Sequence, residues 1–311
     1  MYEKISFLFR FTILIASTLF FFGCASTKES FQIEGNYKEL LEKQKTSYSD
    51  NLLESENLPE ISCSEYEQIG DLNLKRDRLS VAYINYERAL KCGDDNFRLE
   101  YKKGLVNLYG KIYDEAVKQF KNILTKDPRN ALAHEKIGIA YFQTKNYIYA
   151  ERHFWKALEY DFKLWKSHNF LGVIYDYRNM HEKAISRYRS AIQVNPENAA
   201  LYNNLGISFY LSGQYKEAYE SLLHARKLDS GSDRIQNNIA LVLFKLKNYD
   251  KALLAFKNAG DLAQAYNNLG CVFLAEGRKK EAIRNFEKAL ESRPKFYNIA
   301  NENLERIQLF K

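Results

Sequence analysis

The sequence predicts an all-α solenoid built from a repeated pair of helices, and three periodic observations carry that prediction. Glycine recurs every 34 residues at Gly70, Gly104, Gly138, Gly172 and Gly206, passes to Ala240 after another 34, and returns at Gly270 after 30. Alanine follows each of these places by 12 residues, at Ala82, Ala116, Ala150, Ala184, Ala218, Ala252 and Ala282. Sixteen residues after them stands a bulky apolar group: Tyr86, Phe120, Phe154, Tyr188, Leu222, Phe256 and Phe286. Pro128, Pro196 and Pro294 keep the same clock. A register held over seven cycles marks a repeat protein.

Each cycle reads as a helix, a tight turn and a second helix. Between Ala199 and Ser230 the apolar set Leu201, Tyr202, Leu205, Phe209 and Tyr210 recurs at helical spacing, and after Gly213 the set Tyr215, Ala218, Tyr219, Leu222 and Leu223 does the same. Gly213 marks the break between them. Gly206 and Ala218 fall where the antiparallel pair crosses, so the backbones can approach while the large third group fills the space beyond. Asn96, Asn130, Asn198 and Ser232 each precede a first helix as cap candidates. Ser62 with Glu65 predicts a capping box at the start of the array.

A 34-residue two-helix cycle with these small and large places resembles the tetratricopeptide repeat, or TPR. The best match is Ala199–Ser232, with Tyr-Asn-Asn-Leu-Gly, Gly213, Tyr215 and Ala218. The resemblance implies a right-handed superhelix of seven repeats at 63–96, 97–130, 131–164, 165–198, 199–232, 233–262 and 263–296. The first two depart from the pattern. Asn73 and Asn107 stand where later repeats carry Tyr141, Tyr175, Phe209 and Phe273, and Lys103 replaces a core aliphatic. The sixth repeat is short. Gly260 ends its second helix about one turn early, Asp261 caps the next helix, and a local change of superhelix pitch is expected there.

At the N-terminus, Lys4 and Arg10 precede a 12-residue apolar run from Phe11 to Phe22. That is too short to span a bilayer and matches a secretory h-region. With Gly23-Cys24 and the small polar residues after it, this resembles a bacterial lipoprotein signal, with Phe21 where the family prefers leucine. The resemblance implies removal of residues 1–23 and lipidation of Cys24. An ordinary signal cleaved nearby is the alternative. Residues 24–62 then form a tether and a helix over Asn36 to Glu54 with Tyr37, Leu40, Leu41, Tyr48 and Leu52 along one face. Residues 297–311 form a closing helix with Ile299, Ala300, Leu304 and Ile307 inward, as a repeat stack needs over its last apolar face.

The formal charge of +7 falls to +6 when residues 1–23 (Glu3, Lys4, Arg10) are removed. Basic and acidic residues interleave at helical spacing, so no nucleic-acid patch forms. Cys63 and Cys92 bracket one hairpin whose two ends are neighbours, and an exported chain meets an oxidising compartment. A disulfide between them and two buried thiols are both open readings. Cys271 reads as a small packing residue. His134 and His168 take the same place in successive repeats, where Tyr202 and Tyr266 stand later, which argues for packing over metal ligation. No HExxH, CxxC, G-x-S-x-G or phosphate loop appears, so no cofactor, small-molecule substrate or catalytic residue is expected.

The TPR resemblance places the first helices on a concave face. The residue after each repeat glycine or its equivalent is Leu105, Ile139, Val173, Ile207, Leu241 or Cys271. Three places on come Leu108, Phe142, Asp176, Tyr210, Phe244 and Leu274. This stripe is either a groove floor or is buried between neighbouring helices. Beside it run Asn169, Asn203, Asn204, Asn237, Asn238, Asn267 and Asn268. Each amide offers a donor and an acceptor, and the series resembles the asparagine ladders of TPR proteins that clamp extended chains. Asparagine is also common at these places in the family.

These features predict a non-catalytic scaffold that binds another envelope protein or a peptide segment and is held to the bacterial outer membrane by lipid, facing the periplasm. Assembly of an envelope complex, in a pilotin-like role for a secretin or pilus, is the leading expectation. A surface-exposed adhesin and a regulatory adaptor of a peptidoglycan hydrolase are the alternatives.

Overall fold

The structure, a computed structural model, describes residues 62–91, 97–292 and 298–309. Among them are fifteen α-helices and no strand. They fall in two compact units, one ending at Ile174 and one beginning at Tyr175. The first holds α1 (Cys63–Lys75), α2 (Leu79–Lys91), α3 (Phe97–Tyr109), α4 (Tyr113–Lys126), α5 (Ala131–Gln143) and α6 (Tyr147–Tyr160). Helix α7 (Trp165–Tyr177) runs across the boundary. The second holds α8 (His181–Val194), α9 (Ala199–Leu211), α10 (Tyr215–Leu228), α11 (Asp233–Lys245), α12 (Tyr249–Asn258), α13 (Leu262–Ala275), α14 (Lys279–Ser292) and α15 (Asn298–Leu309).

Within the first unit α1 packs on α2, α3 on α4 and α5 on α6, and in the second α9 packs on α10, α11 on α12 and α13 on α14. Within each unit consecutive hairpins then dock, second helix on next first helix. The repeat glycines make the crossings possible. A Cβ built on Gly70 would lie 2.5 Å from the Tyr86 ring, on Gly104 2.8 Å from Phe120, and on Gly270 2.6 Å from Phe286. The bulky group sixteen residues on thus packs directly against the glycine, and the seven repeat alanines are all wholly buried. These small-against-large contacts form the core of each hairpin.

The helix starts follow the sequence with one exception. Ser62 and Glu65 form a reciprocal capping box, Asn130 accepts from the Ala133 N–H at 2.9 Å, and Asn198 from that of Ala200 at 3.0 Å. Ser232 makes no side-chain cap bond, contrary to expectation. Asp261 and Gln264 form a second capping box. It follows α12, which has 10 residues against 14 in α10 and α14, so the sixth repeat loses its turn where predicted. The turn inside each hairpin uses a left-handed residue in a strict register: Asp77, Lys111, Lys145, Asn179, Gly213, Lys247 and Gly277, with φ between 57° and 82°. Only two of these are glycine.

The departures in the first repeats are accommodated locally. Asn73 is buried and donates to the Ile69 carbonyl at 2.8 Å. Lys103 pairs with Glu87 at 3.2 Å and lies over the Tyr83 ring. In the closing helix Ala300 and Ile307 are buried as expected, whereas Ile299 is 40% exposed and faces away from the stack. Cys63 is disulfide-bonded, and Cys271 is free and half-buried. The signal segment, Cys24, the helix expected over Asn36–Glu54, Cys92, Asn96 and Pro294 lie outside the described residues.

Candidate functional site

The first helices of neighbouring repeats touch one another, α3 with α5 in the first unit and α9 with α11 in the second, so their shared face forms an inner layer. The stripe residues next to the repeat glycine are all half-buried: Leu105, Ile139 and Val173 in the first unit, Ile207, Leu241 and Cys271 in the second. None is fully packed and none is fully solvated. Neighbouring first helices cover one side of each chain and leave the other open.

Three places deeper the stripe diverges. Phe142 is half-buried, with its ring 4.9 Å from that of Phe170 and 5.5 Å from Tyr147. Tyr210 is half-buried beside Tyr215, and burial raises its pKa, with Lys245 opposing and Tyr215 and Glu276 reinforcing the shift. Phe244 is 4% exposed and packs between Tyr249 and Phe273. It belongs to the core, not to an accessible groove, because the next repeat supplies a ring that covers it. Asp176 replaces the aromatic group with a polar hub. It accepts from Ser208 Oγ at 2.8 Å, from the Tyr188 hydroxyl at 3.0 Å, and lies 2.9 Å from His181 Nδ1. Burial raises its pKa against the pull of these partners.

The amide series splits in two. Asn203, Asn238 and Asn267 are buried, and Asn169, Asn204, Asn237 and Asn268 are half-buried. Asn238 donates to Asn203 Oδ1 at 2.8 Å, and Asn303 of the closing helix donates to Asn267 Oδ1 at 3.0 Å. These amides join one first helix to the next and so are withdrawn from any ligand. Asn237 Oδ1 is shielded from water without a hydrogen-bond partner.

The sequence reading missed the ladder to which the Asn238–Asn203 bond belongs. In the first unit its counterpart is ionic: Lys102 lies 2.7 Å from Glu67 and 2.6 Å from Asp71. Lys102 and Glu67 are 35 residues apart, and so are Asn238 and Asn203. Lys136 lies close enough to Tyr101 in the same register to act on its charge state and pairs with the buried Glu135 at 2.9 Å, whose other oxygen accepts from Ser167 at 3.1 Å. Complementary side chains recurring at a spacing of 35 were the available signal.

Two clefts open along these faces. In the second unit a narrow crevice is lined by Ile207, Tyr210, Leu222, Asn238, Leu241 and Val242. In the first, a cleft of about 380 Å³ is lined by Phe97, Arg98, Tyr101, Ile123, Asp127, Asn130 and Leu132. The two equivalent histidines behave alike: Nε2 of His134 lies 3.3 Å from the Pro128 carbonyl and Nε2 of His168 lies 3.0 Å from that of Phe162, each six residues back. Both therefore tie a helix start to the preceding turn.

A helical-hairpin scaffold for protein interaction is the class of molecule this fold and this layered face define. Sequence models described as tetratricopeptide repeat match residues 101–151 and 231–295, and one described as TPR repeat matches residues 172–213, together half of the chain. The chain belongs to the tetratricopeptide repeat family. Among solved structures, a tetratricopeptide repeat protein from Parabacteroides merdae ATCC 43184 aligns at 17% identity over 78% of this chain and 97% of that one, with a TM-score of 0.55. MamA aligns at 24% identity over 50% of this chain and 91% of that chain, with a TM-score of 0.47. YrrB, described as a TPR protein with an unusual peptide-binding site, aligns at 20% identity over 60% of this chain and 97% of that chain, with a TM-score of 0.48. These likenesses bear on the fold alone. A comparison with curated proteins finds no match.

Proposed function

We propose that the protein is a non-catalytic scaffold that holds an extended apolar segment of another protein along the first helices of repeats five to seven. One observation carries the reading: Ile207, Tyr210 and Leu241 keep one side open in a row beside the half-buried amides Asn204 and Asn268. An apolar client side chain desolvates against the row, while the amide of Asn268 offers its backbone a donor and an acceptor. Anchoring through lipid on Cys24 in the bacterial envelope, and service in assembly of an envelope complex, complete the proposal. They rest on the signal-like N-terminus and on the apolar character of the row.

A photo-crosslinking residue at Leu241 tests the site against one at the exposed Lys257 on α12. Adducts to a partner should form from Leu241, and Ile207→Lys with Leu241→Lys should weaken binding by roughly tenfold or more with helical content unchanged. Capture from Lys257 alone, or full affinity in the double variant, refutes the site. For the anchor, mass spectrometry of the mature protein should find an acylated Cys24, and an unmodified N-terminus refutes it.

A further inference from the structure

The chain carries its own control for what a second helix normally shows to solvent, and α6 departs from it. Ile148 stands where other repeats have Asp114, Glu182, Lys216, Asp250 and Lys280, and Tyr149 where they have Glu115, Lys183, Glu217, Lys251 and Glu281. Trp155 replaces Lys121, Arg189, Lys257 and Glu287, and Phe162 replaces Pro128, Pro196 and Pro294. All four are outward: Ile148 is 75% exposed, Phe162 67%, Tyr149 50% and Trp155 43%. Hairpin packing does not require them, because most other repeats fold with a charge at the first three places and with proline at the fourth; Ser80, Val81 and Leu223 are the uncharged exceptions at the first three.

Basic groups surround the apolar ones. Arg152, Lys156 and Lys163 are exposed on the same stretch, and Lys121 of α4 is exposed beside it, near enough with Arg152 and Lys156 to act on the charge state of His153. The acids are partly engaged. Asp161 accepts from the Lys163 backbone N–H at 2.9 Å, Glu151 is half-buried and Glu159 is exposed, against four exposed bases.

We propose that this outward face of α6 docks on a lipid bilayer bearing anionic headgroups. Indole and phenol rings lie well at the depth of the headgroups, with aliphatic and phenyl groups reaching further in. Lys and Arg beside them meet the negative surface. The area argues against a second copy of the chain. At ~200 Å² per side chain the four groups expose about 470 Å², whereas a stable dimer covers about 800 Å² on each partner. Neither cleft described above is lined by residues of this face. The proposal stands independently of the groove, which lies on the first helices.

The test uses the full chain with vesicles of phosphatidylcholine and phosphatidylglycerol carrying brominated acyl chains. The Trp155 signal is read as the difference between wild type and Trp155→Phe. Its emission should shift to the blue and be quenched, and each of Arg152→Glu and Lys156→Glu should lower the docked-to-undocked ratio by about fivefold or more. Ile148→Asp with Tyr149→Glu installs the pair that the second repeat already carries at these places. It should abolish the quenching with the helical signal intact. Three results overturn the proposal: Trp155 emission indifferent to brominated lipid, an equal response from purely zwitterionic vesicles, or self-association of the chain that is lost in Trp155→Phe.

Discussion

Gly138→Ala opposes two effects of known size in one side chain. In an isolated helix the change stabilises by about 1 kcal/mol, because glycine loses more backbone freedom. In α5 the new methyl would lie 2.7 Å and 2.8 Å from Cε1 and Cδ1 of Phe154, well inside the ~3.5–4.0 Å of an ordinary carbon contact. Phe154 has nowhere to go: it is wholly buried and its ring is parallel to that of Phe170 at 5.2 Å. Overpacking of this kind costs roughly 1–3 kcal/mol, so the net prediction is destabilisation by roughly 0–2 kcal/mol. Ala240 tolerates the same place in the sixth repeat, where Phe256 lies in the last turn of the shortened α12. Because repeat arrays open locally, the assay is hydrogen exchange of the α5 and α6 amides, with Phe154→Leu completing a double-mutant cycle. Protection should fall in Gly138→Ala and partly recover in the double variant. A gain of about 1 kcal/mol from Gly138→Ala alone would show that the ring yields freely and would refute the packing argument.

Three further predictions follow from single contacts. Nδ1 of His134 and His153 lie 3.1 Å apart, and burial first, then His134, Lys121, Lys156 and Arg152, hold the His153 pKa down to about 4. Its folded pKa lies below the unfolded value of about 6.5, so stability present at neutral pH is lost as pH falls from about 6.5 towards 4. Allowing for solvent screening, the loss is roughly 1–2 kcal/mol in a urea midpoint series, and His153→Gln should flatten that part of the profile. Lys145 sits at φ 61°, which costs a non-glycine residue roughly 1 kcal/mol; Lys145→Gly should raise the local unfolding free energy by a few tenths to 1 kcal/mol, and a loss would show that its side chain contributes. If Cys63 is bonded to Cys92, non-reducing peptide mapping should recover that pair, and reduction should cost roughly 3–4 kcal/mol in the first hairpin; recovery of Cys63 with any other cysteine refutes the pairing.

The repeat register, the small-against-large crossings, the shortened α12 and four of the caps were legible because each rests on residues at fixed separation along the chain. What escaped the sequence depends on the neighbouring repeat. Phe244 looked like a groove residue by its place, and Phe273 from the next repeat makes it core. Asn203 and Asn238 looked like ligand contacts, and their bond to each other takes them away. The left-handed turns hid for another reason. Lysine at Lys111, Lys145 and Lys247 gives no local signal for positive φ, which Gly213 and Gly277 announce and Asp77 and Asn179 permit.

The ladder between first helices also bears on how the stack finds its order. Seven hairpins cut to one pattern invite mistaken partners while the chain folds, since any first helix roughly fits any second. The rungs differ in kind, however. A fifth repeat settling on the first would set Asn204 against Glu67 and remove the ammonium that this carboxylate holds at 2.7 Å. A second repeat settling on the fifth would press Lys102 onto the buried amide of Asn203. Each wrong neighbour strands a half-buried charge, which is costly. The contrast between ionic rungs in the first unit and amide rungs in the second therefore works as an address that separates early hairpins from late ones.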